Sequence, residues 1–574
     1  MPARLNGIPA APGIAVGPVW RYRPRAAAGL PVVAVSSRGD AELRVRSSAA
    51  AAAVQLEALA ARVGELGRAG DAEILDAQAL MAVDPTIVDE AVRLVRGGMA
   101  PVDAVLEAAE AAAQMLDALP DPLLAARAGD VRDVAVRVTR ILSGATLDLP
   151  TDPSVVVAED IPPSLLAEMP PGLLLGVAMA MGSPTAHAAI LARSLGIPAV
   201  VAAPDLLDAL RGARAIAIDG ESGEITVDPT PAELQGLADR QAVRGTRDRA
   251  AAALRGMPAA TADGRRVPLL ANIRSPEDAG RAIDAGAEGA GLFRTEYLFL
   301  RREAAPSESE QTSEYRRAME AFGPERPVVI RLADIGGDKS IPYLGLPNEP
   351  NPFLGVRAIR LARRSRELLL TQLRAIWRAA GEACVTPYAM APMIATIADA
   401  RLLCQLRDEA RSAVVADGAA CPERMMTGVM IEVPSAAIMA RELARLVDFF
   451  SIGTNDLTQY VLAADRGNPE LARFQDALHP AVLRTIATVV AGADAAGIPV
   501  AACGELAGDP AGALVLVGLG VDELSVDAGS IDAVRACLAG FDADELEALA
   551  ETALAASDAE TVRAYATEFL AARR

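Results

Sequence analysis

Histidine is scarce in this sequence: only two of its 574 residues are histidine, and His187 is one of them. Lysine is scarcer still, because Lys339 is the only lysine and every other basic side chain is an arginine. Cysteines are few, odd in number, scattered and without metal-ligand spacing: Cys384, Cys404, Cys421, Cys503 and Cys537. This pattern argues against a disulfide framework and against a zinc site, and it indicates a reducing, cytoplasmic compartment.

Long apolar runs are missing as well. No run approaches the roughly 18 to 20 residues that a membrane-spanning helix needs, so we expect no membrane insertion. The formal net charge of −20 argues against nucleic acid as a partner, because the phosphate backbone repels an acidic protein. A chain of 574 residues is too long for one core, and about two to four domains are expected.

The stretch around His187 has the pattern of a turn followed by a helix. Gly182, Ser183 and Pro184 break the preceding element, Thr185 can cap a helix, and His187 stands where an Ala/Ile/Leu/Arg helix begins. Backbone N–H groups at a helix start favour an anion, and a neutral imidazole is a free nucleophile near neutral pH. His187 is therefore a candidate phosphoryl acceptor. Taken alone, the stretch fits a capping or core histidine better.

Before residue 257 the sequence predicts an α/β domain interrupted by helices. Short strands are predicted over residues 5–20, and apolar residues spaced three and four apart predict four or five helices between 37 and 144. Strands return from Val155 onward and close with a hairpin at 214–227. Residues 229–256 predict a polar connecting helix. Nothing in the helical region indicates catalysis.

The remaining residues alternate strand and helix eight times, which predicts a TIM (β/α)8 barrel. The predicted strands are 267–272, 289–294, 328–333, 388–394, 427–432, 449–453, 500–503 and 523–526. In such a barrel the active site lies at the carboxyl ends of the strands. Polar candidates occur at those ends, namely Arg294, Arg331, Glu432, Asn455, Asp456, Arg466 and Cys503.

These residue types predict a specific chemistry when they share one barrel mouth. Several guanidinium groups need a multivalent anion, since they match phosphate and carboxylate oxygens in pairs. Glu432 and Asp456 suit a hard cation such as Mg²⁺, which takes one or two carboxylates together with substrate oxygens. Cys503 is the obvious proton donor, because a thiol stays protonated at neutral pH. Individually, each of the polar residues is better explained as a surface ion pair or a helix cap, and a small core residue would explain Cys503 equally well.

Several motifs together resemble Enzyme I, the phosphoenolpyruvate–protein phosphotransferase family of the bacterial sugar phosphotransferase system. They lie at 182–200, 291–297, 334–339, 351–355, around Glu432 and Asn455-Asp456, and at 503–509, and the resemblance runs over essentially the whole chain. It implies that His187 becomes a phosphohistidine, that Arg294, Arg331, Asn455, Asp456 and Arg466 bind phosphoenolpyruvate, and that Glu432 and Asp456 hold Mg²⁺. Cys503 would then protonate the enolate of pyruvate.

The resemblance also implies an organisation and partners. Residues 1–25 and 145–228 would form the phosphohistidine domain, 26–144 a helical subdomain that binds the phosphocarrier protein HPr, 229–257 a linker helix and 258–574 the barrel. Family members are cytoplasmic and dimerise through the barrel. The fold expected is therefore a multidomain α/β protein: a small α/β domain with an inserted helical bundle, a linker helix and a carboxyl-terminal TIM barrel.

The chain departs from the family pattern beside the histidine. Ser183, Pro184 and Ala186 replace the usual Gly, Arg and Ser, and Gln78 stands where relatives often carry histidine. Pro184 removes a backbone donor. Two alternatives therefore remain: an enzyme like phosphoenolpyruvate synthase or pyruvate phosphate dikinase, which needs an ATP-binding domain not apparent here, and a non-catalytic regulatory paralogue that the altered turn would favour.

Overall fold

Eight short apolar strands of the first 228 residues form one mixed sheet. In the computed structural model the described residues are 4–22, 37–65, 69–118, 122–147, 149–170, 172–182, 187–300, 302, 304–337, 341–346, 349–466 and 468–573. The chain divides into two compact units, Met1–Gly245 and Thr246–Arg574. Among the described residues no helix is long and apolar enough to cross a bilayer.

The sheet of the first unit has the order β1-β8-β7-β3-β4-β5-β6-β2. Its strands are β1 Arg4–Asn6, β2 Ile8–Ala11, β3 Ile14–Arg21, β4 Ser154–Ala158, β5 Leu174–Met179, β6 Ala199–Val201, β7 Ala215–Asp219 and β8 Glu224–Val227. β3 pairs in parallel with β4, so the chain leaves the sheet after Arg21 and returns beside it at Ser154. β7 and β8 form the predicted antiparallel hairpin.

The segment between β3 and β4 folds as helices. They are α1 Arg38–Glu65, α2 Ala69–Ala82, α3 Pro85–Arg96, α4 Pro101–Asp117 and α5 Pro122–Ser143. Three of them begin with proline, which fits the first helical turn because proline needs no N–H partner there. The Asp84 carboxylate accepts a hydrogen bond from Thr86 N at 2.7 Å and caps α3. The predicted helical bundle inserted in an α/β domain is confirmed.

A buried polar cluster lies inside this bundle. The Gln78 amide donates hydrogen bonds to Asp130 Oδ1 at 3.1 Å and to Asp133 Oδ2 at 3.2 Å. Burial, together with the negative charge of Asp130, raises the pKa of Asp133 from 3.8 to about 6, although Ser164 and Arg137 oppose this rise. Gln78 is thus a hydrogen-bond donor between two carboxylates, a role that its neutral amide performs without adding charge.

The raised pKa of Asp133 predicts a pH-dependent stability. Because the folded chain binds this proton more tightly than the unfolded chain, the free energy of unfolding falls as pH rises from about 4 to about 6 and is then flat. The shift corresponds to about 3 kcal/mol. Asp133→Asn should flatten this dependence, and Asp76→Asn on the exposed face of α2 should not. Urea unfolding followed by Trp20 fluorescence in a Trp377→Phe background would measure it; equal slopes in both variants would contradict the assignment.

The described residues after the bundle contain four further helices before the barrel: α6 Pro163–Glu168, α7 His187–Ser194, α8 Leu206–Ala209 and α9 Pro231–Ala253. The predicted turn residues Ser183, Pro184 and Thr185 lie outside the described residues, as does the His187 side chain, but α7 begins at His187 as predicted. Helix α9 is the predicted connecting helix, and the boundary between the two units falls within it.

The second unit is a closed barrel of eight parallel strands. They are β9 Leu269–Ile273, β10 Ala290–Arg294, β11 Val328–Arg331, β12 Tyr388–Ala391, β13 Met426–Ile431, β14 Phe449–Ile452, β15 Val500–Ala502 and β16 Glu523–Val526. β16 pairs with β9 and closes the ring. The predicted TIM barrel is confirmed, and each strand lies within its predicted segment or extends one residue beyond it.

Helices surround the barrel. They are α10 Asp278–Asp284, α11 Glu308–Phe322, α12 Arg366–Ala383, α13 Ile397–Ala416, α14 Pro434–Ile438, α15 Ala440–Leu443, α16 Thr454–Leu462, α17 Pro480–Asp494, α18 Glu505–Gly508, α19 Pro510–Gly518, α20 Ile531–Leu538, α21 Ala543–Ala555 and α22 Ala559–Ala571. Their apolar faces and the outward strand residues form the large core. A smaller apolar cluster includes Met390, Met430, Phe449 and Cys503, and it supports the polar residues at the strand ends.

Candidate active site

The predicted polar residues of the second unit lie at the carboxyl ends of the barrel strands. Arg294 and Arg331 are the last residues of β10 and β11, and Glu432 directly follows β13. The others lie in the first turn of α16, in the loop after it and directly after β15: Asn455, Asp456, Arg466 and Cys503. Parallel strands bring their carboxyl ends to one face, so residues far apart in the sequence meet there.

Arg331 is buried against carboxylates. Its Nη2 lies 2.9 Å from Glu296 Oε1, and its Nη1 contacts the Met430 sulfur at 3.9 Å. Burial opposes the charge, but Glu296, Asp334 and Glu432 outweigh it and raise the pKa of Arg331. The Nε atom of Arg331 has no hydrogen-bond partner among the described residues. Glu296 therefore fixes the position of the Arg331 guanidinium, while its Nε–H group remains available to donate a hydrogen bond to a ligand.

Arg294 differs from Arg331 in having no carboxylate partner. Among the residues that the structure describes, the Arg294 side chain has no hydrogen-bond or ion-pair partner. Burial lowers the pKa of Arg294, and the neighbouring charges of Arg331 and Arg274 lower it further. Two adjacent buried guanidinium groups repel each other, so an anionic ligand between them would relieve an unfavourable interaction.

Arg357 is a site residue that sequence analysis missed. It is almost fully buried and forms a bidentate ion pair with Asp334. In this pair Nε lies 2.8 Å from Oδ1, and Nη2 contacts Oδ2. Its Nη1 lies 3.9 Å from Asp456 Oδ1, and neither atom has a hydrogen-bond partner in the described part of the chain. The only signal in the sequence was its position two residues after the predicted motif at 351–355.

Glu432 and Asp456 are neighbouring carboxylates. Glu432 accepts a hydrogen bond from Met393 N at 2.6 Å, and Met393 has a left-handed backbone with φ of 60°. Non-glycine residues in that conformation are strained and often occur at functional sites. Burial, followed by the charges of Asp456 and Asp334, raises the pKa of Glu432 to about 8, while Arg331 opposes the rise. Bringing these carboxylates together is costly unless a cation joins them.

The carboxylates fit a hard divalent cation. Asp456 Oδ1 is buried without a hydrogen-bond partner, which leaves an oxygen ligand available beside Glu432. No group of three or more His, Cys, Asp or Glu side chains with metal-binding geometry occurs among the described residues. The protein would therefore supply about two carboxylates, and the remaining ligands would come from substrate and water, as is usual for Mg²⁺.

Arg466 and Asn455 connect the loops around this site. Arg466 Nη1 lies 3.5 Å from Asp456 Oδ2, and its guanidinium carbon lies 5.5 Å from the ring centre of Phe353. Asn455 Oδ1 accepts a hydrogen bond from Glu505 N at 3.1 Å. Arg466 is partly exposed, whereas the other two arginines of the β10 and β11 ends are largely enclosed. It can therefore contact a ligand from the solvent side.

Cys503 lies close enough to Arg331 and Arg294 to feel their charges. Its thiol is buried and donates to Ile452 O at 3.5 Å. Burial raises the pKa of Cys503, although Ser451, Arg331 and Arg294 lower it. The next residue must be glycine, because a Cβ on Gly504 would lie 1.8 Å from Thr454 Oγ1. Because burial raises its pKa, the Cys503 thiol remains protonated at neutral pH, as a proton donor must be.

The structure thus brings seven of the eight predicted residues to one end of the barrel. His187 belongs to the first unit, where it begins α7. At the barrel mouth, four guanidinium groups, two available carboxylates and a buried thiol can bind a metal-chelated polyanion and donate a proton to it.

Comparison with known proteins agrees with this chemistry. Three family models match: PEP-utilising enzyme, PEP-binding domain, over residues 248–543; the mobile domain over 150–223; and the N-terminal domain over 6–127. The chain is 40% identical over 574 residues to the phosphoenolpyruvate-protein phosphotransferase of Streptomyces coelicolor. The matched region covers 99% of this chain and 100% of that protein.

Two further relatives cover nearly all of the chain. The multiphosphoryl transfer protein of Xanthomonas campestris pv. campestris is 44% identical over 98% of this chain, which spans 66% of that longer protein. The phosphoenolpyruvate-protein phosphotransferase of Geobacillus stearothermophilus is 37% identical over 98% of this chain and 97% of its own length.

Proposed function

The chain belongs to the family of phosphoenolpyruvate-protein phosphotransferases, and we propose that it moves the phosphoryl group of phosphoenolpyruvate to His187 and then to HPr. This is the first step of sugar uptake by the phosphotransferase system. The observation that carries the proposal is the convergence of Arg294, Arg331 and Arg357 with Glu432 and Asp456 at one end of the barrel.

Phosphoenolpyruvate carries a phosphate and a carboxylate, which suits the arrangement of guanidinium groups. We assign its binding to Arg294, Arg331, Asn455, Asp456 and Arg466, and we add Arg357. Arg294 and the unpartnered donors of Arg331 and Arg357 provide the hydrogen bonds that phosphate oxygens accept best. Phosphoryl transfer depends mainly on positioning and on neutralising charge, and these buried cations do both.

The metal assigned to this site is Mg²⁺, with Glu432 and Asp456 as its protein ligands. When bound, it would neutralise phosphate charge and orient the reacting oxygen. Asp334 is less suited to bind a metal, because Arg357 already pairs with both of its oxygens. Met393 N supports Glu432 by donating to one oxygen and leaving the other, Oε2, toward Gly453.

The proposed reaction has two steps, transfer of the phosphoryl group and protonation of the enolate. In the first, His187 Nε2 forms a bond to phosphorus as the bond from phosphorus to the enol oxygen breaks, which leaves the enolate of pyruvate. In the second, Cys503 gives its proton to the enolate carbon, and the thiolate later regains a proton from solvent. The His187 domain must then present its phosphoryl group to HPr, so it must move between two partners.

Family membership supports the partners and domain roles that we assign. We assign HPr docking to the helical subdomain at 26–144, phosphohistidine formation to 1–25 and 145–228, and substrate binding to the barrel at 258–574 beyond the linker at 229–257. We also assign a homodimer formed through the barrel and a cytoplasmic location. These assignments rest on the resemblance of the sequence to Enzyme I and on its full-length similarity to phosphotransferases.

One incubation tests the proposal. The purified chain is mixed with radioactive phosphoenolpyruvate, Mg²⁺ and HPr, and label is expected first on the chain and then on HPr. EDTA should prevent labelling. A parallel sample with radioactive ATP should stay unlabelled, whereas labelling by ATP would favour a synthase or dikinase. Labelling of neither protein by phosphoenolpyruvate would favour a regulatory paralogue and refute the proposal.

A further inference from the structure

Gln372 is a polar residue on the otherwise apolar buried face of α12. Its side chain is 1% exposed and makes three hydrogen bonds. Oε1 accepts from Ala333 N at 2.9 Å, and Nε2 donates to Thr295 Oγ1 and to Tyr315 OH, both at 3.0 Å. A buried amide is costly unless its donors and acceptors are paired, so these three contacts hold it in one orientation.

Two of these contacts lie at the strand ends that carry the arginines. Thr295 directly follows Arg294, and its hydroxyl donates to Arg331 O at 2.8 Å. Ala333 directly precedes Asp334, the carboxylate that pairs with Arg357. A single side chain from an outer helix therefore connects the ends of β10 and β11. Gln372 is not one of the residues proposed to bind the substrate.

Every hydrogen bond in the network around Gln372 pairs one donor with one acceptor. Oε1 of Gln372 faces a backbone N–H, which can only donate, so the amide cannot flip. Tyr315 accepts from Gln372 and donates its own proton to Gln311 Oε1 at 3.1 Å. Gln311 in turn donates to Pro306 O at 3.1 Å. Thr295 likewise accepts one bond and donates another. Each group is satisfied in one arrangement, which specifies the position of the strand ends.

We propose that Gln372 is a positioning residue for phosphoenolpyruvate, acting through the strand-end segments 294–295 and 331–334. The proposal rests on the function proposed above, since it concerns the same site. It adds to that function a residue of the outer helix layer, Gln372, which sets the distances between Arg294, Arg331 and the Arg357–Asp334 pair. Catalysis is sensitive to such spacing, because a displacement of about 1 Å in a positioned group can cost roughly a hundredfold in rate.

The test compares Gln372→Leu with Gln311→Leu. Both remove a buried amide from the same network, but only Gln372 contacts Thr295 and Ala333. Gln372→Leu should raise the KM for phosphoenolpyruvate by about tenfold to a hundredfold and leave the KM for HPr unchanged. Gln311→Leu should lower the melting temperature and change neither constant by more than about twofold.

Two further measurements keep the test decisive. Thr295→Val keeps the side-chain shape but removes the hydroxyl between Gln372 and Arg331 O, and it should raise the same KM if Gln372→Leu fails to fold. Hydrogen exchange of the peptide over 328–337 should accelerate in Gln372→Leu and not in Gln311→Leu, with or without substrate. An unchanged KM in Thr295→Val, or equal exchange in both glutamine variants, overturns the proposal. An inactive wild-type chain with the expected exchange pattern would instead refute the proposed function alone.

Discussion

His187→Ala is expected to abolish incorporation of label from radioactive phosphoenolpyruvate. Alanine has no nucleophilic nitrogen, so no covalent intermediate can form, and transfer to HPr should stop with it. The proposed phosphoenolpyruvate site belongs to the barrel, in the other compact unit, and should therefore stay intact. The variant should still bind phosphoenolpyruvate, which isothermal titration calorimetry in the presence of Mg²⁺ can measure.

The chain provides a matched control, because it contains one other histidine. His479 caps α17, where its Nδ1 accepts a hydrogen bond from Ala481 N at 3.2 Å. His479→Ala should cost about 0.5 to 2 kcal/mol of stability through the lost cap, with labelling preserved. Label that persists in His187→Ala and disappears in His479→Ala would exchange the two roles and refute the assignment.

The barrel could be predicted from the sequence because its signals are local. Each strand is a short apolar run followed by a helix-length segment, and eight repeats leave few alternatives to a closed barrel. Strand boundaries have weaker signals: the apolar pattern predicts that the fourth strand reaches Ile394, whereas β12 ends at Ala391. Residues 392–394 are also apolar and buried, but they form the loop that presents Met393 N to Glu432 rather than a continuation of the strand.

Hydrophobic periodicity does not mark either of the residues that the sequence analysis missed. Arg357 reaches the site because its loop folds back to form a bridge with Gly336, a contact that hydrophobic periodicity does not report. Gln372 resembles any polar residue of an amphipathic helix, and only its burial distinguishes it. Arg294, Arg331 and Cys503 were found because strand ends can be located from sequence, whereas long loops and outer helices cannot be placed against them.

Cys503 is the second residue whose loss should have a large effect. Its thiol lies in the apolar cluster with Met390, Met430 and Phe449, directly after the end of β15. Burial raises the pKa of this thiol, so the protonated form persists through neutral pH. Asn272 Nδ2 donates a hydrogen bond to Cys503 O at 3.5 Å, and Asn272 Oδ1 accepts one from Ser525 Oγ at 2.8 Å, which fixes the position of the segment. A protonated thiol in a fixed position beside the arginines is what donation to an enolate carbon requires.

Cys503→Ala should slow formation of pyruvate by about 10² to 10⁴, the usual effect of losing a general acid. Because the thiol acts, in the proposed mechanism, only after the phosphorus–oxygen bond breaks, labelling of His187 should survive while proton transfer to the enolate becomes limiting. Lactate dehydrogenase coupled to NADH oxidation would measure pyruvate, and Cys404→Ala is the control, since Cys404 lies in α13 and donates to Leu446 O at 3.5 Å. Near-normal pyruvate formation in Cys503→Ala would remove the thiol from the reaction and place the proton donor on solvent.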